Sequence, residues 1–313
     1  MHNNSIKKKN NLSISVVIPT FNRSKMIKDL VDQLINQTLD KESYEILIID
    51  DGSVDCTART IKKMIKLYPN IKYYKIFHGG PGRARNYGIK RSIGDIVVFT
   101  DDDCLPDKNW LKVIVSIFGR NLDISGIEGL TFTRKENITP LTHQVTNESG
   151  EMAYPTCNIA YRSSWLKAEG GFDEYFKFPH NEDIELAWRM LKYGPIIFSR
   201  RMIVYHPPRK EKFSKMLKRM PMLSSEFYLY HKHKDNYKRK RALNPWINIY
   251  FRYIFKFKML DTISRVLKFQ SSKIIAQSIM LMCFSIIYLI ILFPHFLKID
   301  QESKKECEFR LKF

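Results

Sequence analysis

Four short apolar runs, Ile14–Ile18, Glu45–Ile49, Tyr73–Phe77 and Ile96–Thr100, alternate with segments of helical period, and this alternation constrains the fold more than any other feature of the chain. Ile27, Leu30, Val31 and Leu34 fall at i, i+3, i+4 and i+7, and Ile61, Met64, Ile65 and Tyr68 do likewise. Strands joined by crossover helices imply an α/β fold with a mainly parallel sheet and helices on both faces. Later apolar stretches, Ile196–Phe198 and Val204–Tyr205, extend the strand content to about residue 205.

Polar clusters follow the strand-like runs. The first run ends in Pro19-Thr20-Phe21-Asn22-Arg23, the second in Asp50-Asp51-Gly52-Ser53, and the fourth in Asp101-Asp102-Asp103. In open α/β sheets the carboxyl edge is where ligands bind. Three adjacent carboxylates at the end of a buried strand repel one another unless a cation is held there, which points to a divalent metal. A helix cap near Pro106 and Trp110 would account for one carboxylate, not three. His78-Gly79-Gly80-Pro81-Gly82-Arg83 is a glycine turn with an arginine suited to phosphate. No G-x-G-x-x-G follows the first strand and no G-x-x-x-x-G-K-[ST] occurs, which argues against dinucleotide oxidoreductases and P-loop NTPases.

The blocks SVVIPTFNR, EILIIDDGS, GPGRARNYGI, GDIVVFTDDDCLPDKNWL, NIAYRSSWLKAEGGFDE and NEDIELAWRMLKYG, spread from Ser13 to His206, resemble in order and spacing the family 2 glycosyltransferases of GT-A fold. The resemblance implies that a nucleotide-sugar donor meets Pro19, Thr20, Asn22, Arg23, Asp51, Ser53, Arg83, Asn86, Asp101 and Asp102, with Asp51 facing the base. It implies that Asp101 and Asp103 are the ends of a D-x-D that orients ribose and binds Mn²⁺ or Mg²⁺, and that His206 is a further metal ligand. Its acidic pair looks like Glu182-Asp183, with Asp183 the general base that takes the acceptor hydroxyl's proton. The expected reaction is transfer with inversion to a hydroxyl of a glycan or lipid-linked acceptor. The Q-x-x-R-W of processive synthases is missing, Trp188-Arg189 lying inside a helical pattern, so single addition is favoured. Residues 136–155, expected to face the acceptor, match no motif. A nucleotidyltransferase would show a basic glycine-rich loop after the first strand, where Pro19–Arg23 stands instead.

Charge and hydropathy divide the rest. Of a formal net charge of +20, 15 arise between Arg201 and Lys273, where 19 Lys/Arg face 4 Asp/Glu. Such a stretch attracts an anionic bilayer or nucleic acid. Trp246, Tyr250, Phe251, Tyr253, Phe255 and Phe257, interleaved with Arg252, Lys256 and Lys258, suit a headgroup interface. Ile274–Leu297 holds 24 residues without Asp, Glu, Lys or Arg, enough to span a bilayer. Membrane is therefore the expected partner and no nucleic acid is expected, a non-catalytic membrane- or RNA-binding protein being the contrasting class. The expected organisation is a basic tail (1–12), a catalytic domain (13–208), a basic amphipathic helical region (209–273), a membrane-associated or transmembrane helix (274–297) and a C-terminal tail (298–313). The basic N-terminus lacks the apolar core of a signal peptide, and five dispersed cysteines form no C-x-x-C, so the cytoplasmic face of the cell membrane is the expected location.

Overall fold

The computed structural model describes residues 12–150, 153–268 and 270–310; of the expected basic tail, residues 1–11 lie outside it, as do Glu151 and Met152 of the expected acceptor-facing stretch and the side chains of Lys256 and Phe257. The chain divides into two compact units. The first comprises residues up to Phe132, Thr146–Asp173 and Arg189–His206; the second comprises Thr133–Val145, Glu174–Trp188 and the chain from Pro207 onward.

The first unit is built on one eight-stranded sheet. Its strands are β1 (Ile14–Thr20), β2 (Tyr44–Asp50), β3 (Ile71–Lys75), β4 (Ile96–Phe99), β5 (Leu105–Pro106), β6 (Gly126–Phe132), β8 (Ile159–Arg162) and β9 (Ile196–Tyr205), in spatial order β3-β2-β1-β4-β8-β6-β9-β5; β7 (Thr142–His143) pairs with β10 (Arg209–Lys210) in the second unit. β3, β2, β1 and β4 are parallel, whereas β8 runs antiparallel to both β4 and β6 and β5 antiparallel to β9. The sheet is thus parallel on one side and mixed on the other. The expected crossover helices are α1 (Ser24–Ile35) and α2 (Thr57–Ile65), with Tyr68 beyond the end of the second. Helix α3 (Pro81–Arg91), followed along the chain by α4 (Trp110–Arg120) and α5 (Ser163–Ala168), presses so closely on β1 that a Cβ on Gly88 would overlap Val17. A glycine is required there by contact rather than by backbone angle.

β3 lies two residues earlier than its apolar pattern suggests. Ile71 is its buried residue, while Phe77 is 89% exposed beyond its end. An edge strand with one neighbour needs only one buried face, so its apolar residues fix its ends weakly.

The second unit is helical: α6 (Glu182–Met190), α7 (Phe213–Leu217), α8 (Ser225–Lys232), α9 (Lys234–Lys240), a π-type segment (Ile247–Met259), α10 (Leu260–Leu267) and the 39-residue α11 (Ser272–Arg310). Its core joins Met220, Phe227 and Ile249 to Leu289 and Phe296 of α11. The basic region and the apolar helix therefore share one core. Truncation before Asn244 would strip Phe227, fully buried between Trp246 and Phe296, of both partners.

Candidate active site

β1 and β4 lie side by side with Val17 opposite Phe99, so Thr20 and the Asp101–Asp103 turn emerge at the same edge. Thr20 Oγ1 donates to Asp102 Oδ2 (2.8 Å), and Arg23 reaches across to Asp102 Oδ1 (2.6 Å) and Asp103 Oδ2 (3.1 Å). Arg85, from α3, holds Asp101 Oδ1 at 2.9 Å. Two guanidinium groups thus offset much of the repulsion among the three carboxylates. The repulsion that suggested a metal has a protein answer, and the case for a metal rests instead on which ligand atoms converge.

They converge at Asp103. The β5–β9 register sets Leu105 opposite Tyr205 and Pro106 opposite Val204, so the next antiparallel step brings Cys104 beside His206. Asp103 Oδ1, Cys104 Sγ and His206 Nε2 lie within 4.8 Å of one another, with Asp103 Oδ1 3.7 Å from the imidazole nitrogen. His206 is 2% exposed and donates its backbone N–H to Phe132 (2.9 Å). A carboxylate and an imidazole suit Mn²⁺; the thiol is a softer ligand that suits it less. Asp102, by contrast, points inward: burial pushes its carboxyl up to about 6 against the pull of Arg23. It ties β1 to the aspartate turn.

Beside this cluster the β1 and β2 loops interlock. Asn22, in the left-handed region (φ 53°), donates its backbone N–H to Ser53 Oγ (2.8 Å) and accepts from Val54 N–H (2.9 Å). Ser53 N–H caps Asp50 (2.7 Å). Asp51 accepts from the backbone N–H groups of Gly79 (2.8 Å) and Gly80 (2.9 Å), and His78 Nδ1 stands 2.9 Å from it. The His78 ring stacks on Phe21 at 4.4 Å. Gly80 has φ 90°, which side-chain-bearing residues rarely adopt, and Arg83 folds back along Gly79. Asn86 both donates to Phe172 O (2.9 Å) and accepts from Phe172 N–H (2.7 Å). Pro19 sits within β1 opposite Ile49. Arg85, Cys104, His78 and Phe21 are the members that sequence reasoning did not single out as site residues; Phe21, Arg85 and Cys104 stand inside the quoted blocks, each adjacent to a residue that it did name.

Glu182 and Asp183 belong to the second unit, where they open α6. Ile184, Leu186 and Ala187 turn to the interior, Glu182 is buried, and Asp183 is half-buried with Oδ1 accepting from Ile184 N–H (2.9 Å). Asn181 (φ 74°) fixes the entry to the helix by donating to Ser225 Oγ (2.9 Å) and Glu226 Oε1 (3.1 Å). Glu226 also bonds Tyr237 OH (2.6 Å) and pairs with Arg241. Burial alone would raise the Glu226 carboxyl, but the Arg241 charge overrides it and holds the group down at about 2. His180, 2.7 Å from Ser225 Oγ, is lowered by burial to about 4.

These two shifts set an acid limit. From pH 6.5 down to about 4 the unfolded chain protonates His180 and the folded one does not; from 4.5 to about 2 the same holds for Glu226. Through these two groups protons favour unfolding across that whole range, Glu226 alone accounting for about 3 kcal/mol between its two limits, while Asp102, raised to about 6, opposes them by a smaller amount between about pH 6 and 3.8. Urea unfolding followed by tryptophan fluorescence, to which Trp188 and Trp246 of the second unit contribute, should show a midpoint that falls from pH 7 to 5 and further to 3. A midpoint unchanged over that range would contradict the network.

Residues 15–169, about half of the chain, match the family described as Glycosyl transferase family 2. Glycosyltransferase AglE of Haloferax volcanii is 28% identical over 214 residues, 66% of this chain and 70% of that protein. A dolichyl N-acetyl-alpha-D-glucosaminyl phosphate 3-beta-D-2,3-diacetamido-2,3-dideoxy-beta-D-glucuronosyltransferase of Methanococcus voltae is 28% identical over 197 residues, 59% of this chain and 56% of its own. Of the Bacillus spizizenii poly(ribitol-phosphate) beta-glucosyltransferase the match spans only 15%, and 29% of this chain, at 38% identity. Two solved structures share the fold: Staphylococcus aureus TarS 1-349 with UDP-GlcNAc (TM-score 0.55, 19% identity, 87% of this chain and 90% of that one) and the Pyrobaculum calidifontis mannosyltransferase PcManGT with GDP-Man and Mn²⁺ (TM-score 0.57, 15% identity, 94% and 87%). With the six ordered blocks and a mixed eight-stranded sheet that turns its aspartates out at one edge, the chain belongs to family 2 of the glycosyltransferases, in the GT-A fold.

Proposed function

We propose that the enzyme moves a sugar from a nucleoside-diphosphate donor to a hydroxyl of a lipid-linked glycan, with inversion and with the help of Mn²⁺ or Mg²⁺. The observation that carries this reading is the convergence of Asp103 and His206 beside the carboxyl end of β4. Asp103 and His206 offer a carboxylate oxygen and an imidazole nitrogen that would hold the divalent ion. Such an ion supplies charge neutralisation to the departing diphosphate.

The protein's own groups have separable tasks. Asp103 and His206 hold the metal; Asp101, steadied by Arg85, faces the ribose; Thr20 and Arg23 fix Asp102 so that the turn keeps its shape. Asn22, Ser53 and Asp51 brace the loop around the base, where the Phe21–His78 stack offers a flat apolar surface. Arg83 and Asn86 flank the donor. Asp183 accepts the acceptor hydroxyl's proton as the sugar–oxygen bond forms, with Glu182 beside it at the start of α6. Attack and departure on opposite faces of the anomeric carbon in one displacement would invert it.

A lipid-linked acceptor is supported by two features: the Methanococcus relative is named for a dolichyl-linked substrate, and α11 is apolar enough to meet a bilayer. The excess of Lys and Arg before that helix favours the anionic cytoplasmic leaflet. The test is transfer of label from UDP- and GDP-sugars into a membrane lipid extract by the full-length protein, with the anomeric configuration read by NMR. Label should enter the organic phase, EDTA should abolish transfer, Mn²⁺ should restore it, and the product should be inverted. Chelator-insensitive transfer or a retained configuration would overturn the reading.

A further inference from the structure

An apolar run of 24 residues suggests a helix that crosses a membrane, but α11 has two unlike faces. Ser278, Leu281, Ser285, Leu289, Phe296 and Ser303 are buried, recurring every three or four residues, or seven, which is one side of a helix. That side is packed against the second unit along most of its length: Tyr250 OH donates to Leu289 O (3.0 Å), Phe227 meets Phe296, and His231 Nε2 lies 2.6 Å from Asp300. Further on, Arg310 stacks over Tyr175 and Tyr228. The other side carries Met280, Ile287, Ile290, Ile291 and Leu297, all between 40% and 66% exposed. Ile263, Val266 and Leu267 of α10 are exposed as well.

Upright insertion is incompatible with those contacts. To place Ile274–Leu297 across the hydrocarbon would carry α7, α8 and their charges in with it, among them Lys215, Arg219 and the Glu226–Arg241 pair, each costly at that depth. A 39-residue helix is also about 58 Å long, nearly twice the hydrocarbon thickness. We infer that α11 lies in the plane of an anionic bilayer: one face stays on the protein while the opposite, apolar face enters the headgroup boundary. This rests on the membrane reading proposed above and gives it an orientation. Charge complementarity identifies the occupant as an anionic lipid surface rather than a protein groove, since Lys268 and Lys273, both exposed, join the two apolar helices and the preceding segment from Arg201 is strongly basic.

The test uses the full-length protein, carrying Lys304→Cys, added to sealed phosphatidylglycerol–phosphatidylcholine vesicles and floated on a density gradient. With Cys283, the other exposed thiol, replaced as Cys283→Ala, a membrane-impermeant maleimide then compares the new thiol with the native exposed Cys56 of the first unit. The expected result is flotation with both sites labelled equally, because an in-plane helix keeps its two ends on the side from which the protein was added. Ile287→Asp and Ile290→Asp, which lie on the exposed face and leave the core intact, should each weaken flotation on the order of tenfold or more. Flotation with Lys304→Cys protected and Cys56 labelled would mean a spanning helix and overturn the inference while sparing the membrane reading. Failure to float at all would overturn both.

Discussion

Asp183→Asn should lower turnover by about two to four orders of magnitude, the range for losing a general base, while leaving donor affinity within about twofold. The substitution is nearly isosteric. An amide oxygen can still accept from Ile184 N–H, the contact that Asp183 Oδ1 makes at 2.9 Å, so the start of α6 should keep its shape. The Asn181–Ser225–Glu226 network holds that start independently of residue 183. What is removed is the negative charge, which Arg241 senses, and with it the ability to take a proton. Single-turnover rates and donor Kd measured side by side separate the two effects. A fall in donor affinity as large as the fall in rate would make Asp183 a binding residue.

A comparably large effect is expected at the metal cluster. Asp103→Ala should weaken Mn²⁺-dependent nucleotide binding by at least about 100-fold, since losing even an outer-shell partner of a metal ligand costs 10–100-fold. The fold should survive, because Arg23 keeps its 2.6 Å pair with Asp102 and one of three mutually repelling carboxylates has gone. Thermal unfolding within a few degrees of wild type together with lost nucleotide binding is the expected pair of results. Unchanged Mn²⁺-dependent affinity would remove Asp103 from the site.

The strand ends were the most legible part of this chain, for a physical reason. β1, β2 and β4 are buried, so their apolar runs stop where polar groups reach solvent at the sheet edge, and Thr20, Asp51 and Asp101 mark that edge directly. Arg85 was harder to read: a cation in a helical pattern looks like solvated surface until its carboxylate partner, 16 residues away, is brought alongside, whereas Arg23 was named, but as a donor contact rather than as the partner of Asp102, 79 residues on. Cys104 needed the β5–β9 register, two strands of unequal length a hundred residues apart. The π–π stack of Phe21 on His78 likewise joins two separate loops.

The C-terminal region shows a different limit. Ile274–Leu297 is apolar all round, and such a run reads alike whether lipid or protein covers each face. Residues distant in sequence, among them Met220, Phe227 and Ile249, distinguish the side of α11 that is packed. The charge excess from Arg201 to Lys273 was visible at once, yet part of it is spent internally, as in the Glu226–Arg241 and Glu185–Lys232 pairs.

Metal-dependent donor binding at Asp103 and His206, as proposed above, can be read by calorimetric titration of UDP and GDP into the full-length protein with Mn²⁺ and again with EDTA. At least one nucleotide should bind with Mn²⁺, and that binding should be lost with EDTA and in His206→Ala together with Asp103→Ala. Equal affinity with and without Mn²⁺ would contradict it.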